Sequence, residues 1–290
     1  MAENAHSASA HAQTDPLAVL GALHGVPEAV DSVRKAVDGV YGHRVMRRRS
    51  NEVTSEAALR GARASAALAD ADWPLEEVRR RSDFSADAQA RTVGATLRLT
   101  AEAGQLLGVW RQSPVQALAR LHLVAAGGAQ AGPGGSADTV GRPRLAGEPV
   151  EEPLVGVEEF PLPEPGEVNA RLEGLADLLL AGTAAPALVI GAAVHGELLC
   201  LRPFGTFNGP VARAAERIVL VASGLDPKSI CPAEVGYAEL GRAEYLKALE
   251  GYASGTPEGM SEWIVHCGRA LELGVRESVA VCEALQRGAA

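Results

Sequence analysis

Apolar positions recur at helical spacing along nearly the whole chain. Val30, Val33, Val37 and Val40 share one face of a helix that Pro27-Glu28 opens and that runs to about Tyr41. An Ala-rich helix carrying Leu59 is expected from about Ser50 to Leu68, and Ser85 opens another through about Thr100, with 101–110 continuing or repacking it. Pro114 starts a helix with Leu118, Leu121 and Leu123 that stops at Ala126-Gly127-Gly128. Further helices are expected at 168–180, 185–201, 211–223, 242–253 and 260–285.

The stretch from Gly127 to Pro165 breaks this rhythm. Its first residues, Ala-Gly-Gly-Ala-Gln-Ala-Gly-Pro-Gly-Gly, have the composition of a flexible linker or lid. Within it, Thr139 to Pro149 is read as a short hairpin, with Val140 and Leu145 apolar and Gly147 at the turn. Residues 1–16 are polar and Ala/His-rich and read as a disordered tail, followed by an N-terminal helical region over 17–104 and a main domain over 105–290.

Composition narrows the function classes. The 290 residues, 47% of them hydrophobic, suffice for one large domain with a helical extension. A net charge of −9 argues against nucleic-acid binding. No leader pattern or long apolar run appears, so a cytoplasmic protein without membrane contact is expected. Cys200, Cys231, Cys267 and Cys282 lack paired spacing; Cys200 and Cys267 read as buried thiols, and His266-Cys267 alone is too little for a zinc site. The basic clusters 47–49 and 79–81 read as solvated helix ends, or as patches for an acidic partner. No dinucleotide, flavin or haem motif is present.

The chemistry concentrates in Arg202 to Arg213, R-P-F-G-T-F-N-G-P-V-A-R. Asn208 and Gly209 stand before an apolar-periodic run, Ala212 to Leu220, and Pro210 suits the first turn of a helix. A helix N-terminus of this kind offers N–H groups and a positive dipole end to an anion. His195 lies about 10 Å before Arg202 on one helix face. It reads as a displaced base for a small ligand or as a buried histidine satisfied by backbone groups.

This stretch resembles the Fic (Fic/Doc) family of AMP-transferring proteins. That family's motif is H-P-F-x-[D/E]-G-N-G-R-x-x-R, with a further His seven positions before the motif His. His195 stands seven before Arg202, and Pro203, Phe204, Asn208, Gly209 and Arg213 match in register. The turn Ala222 to Pro227 and the segments 244–249 and 254–256 resemble the helix ends that follow in such domains. The resemblance covers about 105–275. It implies an all-α, Fic-like helical bundle with a small β-hairpin flap over 127–165 and an N-terminal helical extension. It also implies that a protein partner docks on 138–165 by strand addition.

The departures bear on function. The family's motif His acts as general base; position 202 is Arg, which stays protonated and accepts no proton. The family's acidic residue anchors Mg²⁺; Thr206 offers only a neutral hydroxyl. The first motif Gly is Phe207, a plug in the loop, and the next Arg is Pro210, so only Arg213 keeps a phosphate contact. A helix near Ser55-Glu56-Ala57-Ala58-Leu59-Arg60-Gly61 lies where many Fic proteins carry an inhibitory Glu, and here Arg60 stands in its place.

No catalytic residue is therefore expected, with Arg202 a degenerate position and His195 a weak candidate. Arg202, Thr206, Asn208, Gly209 and Arg213 are the expected phosphate- or ligand-binding residues, beside the alternative that Arg202 bonds carbonyls at the helix end or a nearby carboxylate. ATP or another nucleotide is a possible ligand, Mg²⁺ is not expected, and Ala-rich helices permit a homodimer. Two readings follow: a pseudoenzyme binding an anionic ligand or protein partner in a regulatory role, or a still-active transferase of AMP or phosphoryl groups to a protein hydroxyl. In the second, Thr206, His195 or water replaces the base, since loss of an acid–base group costs about 10²–10⁴-fold rather than everything.

Overall fold

A computed structural model describes residues 15–127, 139–151 and 160–288. The N-terminal half runs through α1 (Pro16–Leu20), α2 (Val26–Tyr41), α3 (Met46–Ala67), α4 (Leu75–Arg80), α5 (Ala88–Ala103), α6 (Leu107–Trp110) and α7 (Pro114–Ala125). After 139–151 come α8 (Pro165–Ala181), α9 (Ala187–Leu201), α10 (Asn208–Ala222), α11 (Ala233–Leu240), α12 (Arg242–Ser254) and α13 (Pro257–Gln286).

The expected all-helical class is what forms, and the sequence explains the arrangement. Helix α9 is apolar on every side and buries all but a few of its residues, as a central helix must. It packs against α10, which is buried from Asn208 to Leu220. The 30-residue α13 lies against α2, α9, α11 and α12, so it backs the central pair. One apolar core runs from Leu17 to Leu285 and takes in the N-terminal helices. A smaller cluster, Ala66, Ala71, Val78 and Val93, sits between α3, α4 and α5.

Local caps fix several helix ends. The Asp15 carboxylate accepts from Leu17 and Ala18 N–H and from the Thr183 hydroxyl, so Asp15 and Pro16, read from sequence as tail, are the start of α1. Thr256 accepts from Gly259 N–H and Pro257 follows it, opening α13 three residues earlier than the apolar period implied. Gly236 permits the closest helix approach, because a Cβ there would lie 1.9 Å from the Ala270 carbonyl oxygen on α13.

The hairpin expected at 139–149 does not form. Pro143 and Pro149 lack the N–H a ladder needs, and an Arg142–Glu148 ion pair of 2.6 Å closes the segment as a loop instead. Gly147 does turn the chain, at φ 79°. Among the described residues the strand-like pairing is one isolated parallel bridge, Glu151 to Thr206. The rest of the expected flap, 128–138 and 152–159, lies outside the described residues, as do 1–14 of the tail. No described helix is long and apolar enough to cross a membrane.

Candidate functional site

The loop between the two central helices is built from strained and braced backbone. Helix α9 closes as Arg202 turns left-handed at φ 42°, its N–H donating to the Leu198 carbonyl, and Phe207 turns left-handed at φ 58° to enter α10. A left-handed non-glycine residue costs about 1–2 kcal/mol, so the surrounding contacts must hold both. Asn208 supplies one clamp: its Oδ1 accepts from Phe204 N–H at 2.8 Å and its Nδ2 donates to the Phe204 carbonyl at 2.9 Å. The Phe204 ring stacks on His122 of α7 with centroids 4.3 Å apart.

The segment 139–151 lies along this loop. Arg144 N–H donates to the Pro203 carbonyl at 2.7 Å and its Nε to the Arg202 carbonyl at 3.1 Å. Glu151 N–H donates to the Gly205 carbonyl at 2.8 Å. His122 Nδ1 accepts from Gly141 N–H at 3.0 Å, which leaves the ring hydrogen on Nε2, 3.3 Å from the Thr206 hydroxyl. Burial pushes His122 down to about 4. An uncharged ring with both nitrogens engaged positions Thr206 and is a poor proton acceptor.

The two arginines read as anion ligands turn to opposite parts of the chain. Arg202 is buried and donates to the carbonyls of Phe160 and Pro161 at 2.7 and 2.8 Å. These two carbonyls lie outside α9, so these guanidinium bonds reach across the fold while the Arg202 N–H closes its own helix on Leu198. Arg213 donates to the Ser65 hydroxyl at 2.9 Å and the Ser65 carbonyl at 3.1 Å, reaching across to α3. Asn208 and Gly209 are buried in the first turn of α10, and the Phe207 ring is half-buried against the core. Beneath α10 a cavity of about 10 Å³, lined by Arg213, Glu216, Arg217 and Glu234, has room for a water at most.

His195 is fully buried, and its partners are side chains rather than the backbone groups expected. Nδ1 lies 2.9 Å from a Glu216 carboxylate oxygen and 3.3 Å from the Tyr237 hydroxyl; Nε2 lies 2.5 Å from the Tyr245 hydroxyl. Tyr237 donates to the other Glu216 oxygen at 2.8 Å. Burial raises the Tyr245 hydroxyl well above its ordinary range, against the pull of the Arg213 charge beside it. Arg202 takes no part in these contacts. Cys267 is buried, whereas Cys200 is only half-buried.

The α3 segment Ser55 to Gly61 packs near α10. Arg60 pairs with Glu56 and Glu277. Gly61 leaves room for the buried Arg217–Glu234 pair, since a Cβ there would lie 2.5 Å from an Arg217 nitrogen. The 47–49 and 79–81 clusters include helix-surface ion pairs, Arg49 with Glu52 and Arg79 with Glu56 and Glu76.

No family model and no curated protein matches the sequence. Solved structures do match. A Fic family protein from Desulfovibrio desulfuricans G20 superposes with a TM-score of 0.66 at 19% identity, over 87% of this chain and 74% of that one. This chain has a Fic fold. A Fic domain containing signaling protein from Bacteroides thetaiotaomicron gives 0.62 at 14% identity, over 88% and 98% of the two chains. Fic-1 (residues 134–508) from C. elegans gives 0.59 at 16%, over 89% and 73%. His122, Arg144, Glu216 and Tyr237 are the residues around this Fic-fold loop and its buried His195 that sequence reasoning missed. Nothing local marks them, because each meets its partner from a segment well removed along the chain.

Proposed function

We propose that this Fic-fold chain is a pseudoenzyme that acts through binding, in a regulatory role, and does not transfer AMP. The observation that supports the reading is Arg202, which by the motif register stands where the family has its base, and whose guanidinium donates to the carbonyls of Phe160 and Pro161. A guanidinium cannot take a proton from a hydroxyl at any working pH. Thr206 shares its hydroxyl with His122 and offers no charge for a magnesium ion. Most phosphoryl-group chemistry rests on positioned cations and metal, so efficient transfer has no means here.

The ligand class that suits the remaining groups is an anion bearing phosphate, held by Arg202, Arg213 and the α10 N-terminus, or the acidic surface of a protein partner. Either has to displace the internal partners that Arg202 and Arg213 now hold. The test is incubation of the purified chain with ATP labelled in the α-phosphate, Mg²⁺ and a cell lysate. No label should enter protein above the level of an Arg213→Ala control. Label incorporated by the natural chain and abolished in Arg213→Ala would establish the transferase reading instead.

A further inference from the structure

Below the loop, and apart from it, three side chains of metal-ligating type meet at one dry point. His195 comes from α9, Glu216 from α10 and Cys267 from α13, and one ligand atom from each lies within 4.8 Å of the others. We propose that His195 Nδ1, a Glu216 carboxylate oxygen and Cys267 Sγ form a buried binding site for a zinc-class transition-metal ion.

The donor set selects the ion. Imidazole, carboxylate and thiolate together suit a borderline divalent metal, whereas magnesium and calcium prefer all-oxygen sites. The outer contacts are those a ligating histidine needs. Nε2 of His195 faces the Tyr245 hydroxyl at 2.5 Å, so with its hydrogen on that nitrogen the Nδ1 lone pair points at Glu216. The Tyr237 hydroxyl holds the second Glu216 oxygen at 2.8 Å and stands 3.3 Å from Nδ1, which makes it the nearest source of a fourth donor.

A second observation lies beside this cluster. Among the described residues His266 Nε2 is buried with no hydrogen-bond partner, and its ring lies 5.8 and 6.0 Å from those of Tyr237 and Tyr245. A buried polar atom without a partner is costly, and a bound ion with its water would supply one. Proton balance is simple. Binding deprotonates the Cys267 thiol to thiolate, moves the His195 hydrogen from Nδ1 to Nε2, and releases one proton to solvent. A divalent ion with one thiolate and one carboxylate is then locally neutral.

The experiment uses the full chain expressed without a polyhistidine tag in zinc-supplemented medium, with metal content read by elemental analysis. A parallel sample carries cobalt(II), whose thiolate ligation gives a charge-transfer absorption band. The proposal predicts about one metal ion per chain and a cobalt–thiolate band. Both should persist in Cys200→Ala and fall at least about tenfold in Cys267→Ser. Metal at background in the natural chain, or unchanged in a folded Cys267→Ser, would overturn it. Should Cys267→Ser fail to fold, the cobalt spectrum of the Cys200→Ala/Cys231→Ala/Cys282→Ala triple variant, whose one remaining cysteine is Cys267, decides: a thiolate band supports the site, and its absence removes it.

Discussion

Asn208→Ala isolates the clamp that holds the loop between α9 and α10. The side chain is 1% exposed and makes two bonds to one residue, accepting from Phe204 N–H at 2.8 Å and donating to the Phe204 carbonyl at 2.9 Å. Phe204 is itself buried, so neither backbone group gains water when the amide is removed. A buried donor or acceptor left unsatisfied costs about 1–3 kcal/mol, which gives about 2–6 kcal/mol for the pair. At about 2.1 cal/mol/K of unfolding entropy per residue, that corresponds to a fall in Tm of about 3–10 °C for a chain of 290 residues. Asn208→Asp keeps the acceptor and loses the donor, so its loss should be about half as large. Urea unfolding followed by circular dichroism measures both. A loss under about 0.5 kcal/mol for Asn208→Ala, in the range of an ordinary surface change, would refute the clamp.

Three further outcomes are expected. Burial lowers His122 to about 4 from an ordinary 6.5, so between these values the unfolded chain binds more protons and the folded state loses stability as pH falls. That contribution, about 3 kcal/mol, is complete above pH 6.5 and gone below 4, and the pH dependence of urea midpoints should flatten over that window in His122→Asn. Glu234→Ala strands the buried Arg217 guanidinium and should cost about 3–5 kcal/mol in chemical unfolding, much of it regained by adding Arg217→Met. Gly236→Ala forces a Cβ into the Ala270 carbonyl and should cost at least about 2 kcal/mol by the same assay, whereas Gly174→Ala, with open space beside it, should not destabilise.

Much of the helical frame was legible because α9, α10 and α13 bury broad apolar faces whose spacing no strand shares. Helix α11 escaped because it is short and has Gly236 at its middle, a residue that reads as a breaker and serves here as the point of closest approach to α13. Apolar Val140 and Leu145 with Gly147 at a turn suggested a hairpin, but two prolines and the Arg142–Glu148 pair make a loop that hydrogen-bonds to Pro203 and Gly205 instead. The loop itself was readable as a register of Pro203, Phe204, Asn208, Gly209 and Arg213. The side-chain partners were not. Arg202 meets carbonyls 41 and 42 residues away and Arg213 meets Ser65 148 residues away, separations over which a single sequence carries no signal. The same holds for His195, whose burial followed from its apolar helix while Glu216, Tyr237 and Tyr245 came from three other helices.

The most direct test of a loop closed by its own side chains is an electron-density map of residues 200–214 from crystals grown with ATP and Mg²⁺. The account predicts no triphosphate held by magnesium at the loop, whether the Arg202 guanidinium stays on the carbonyls of Phe160 and Pro161 and Arg213 on Ser65 or both are given up to a metal-free phosphate group. A nucleotide bound through Mg²⁺ to Thr206, with its phosphates against Gly209 and Arg213 in line with a target hydroxyl, would contradict it.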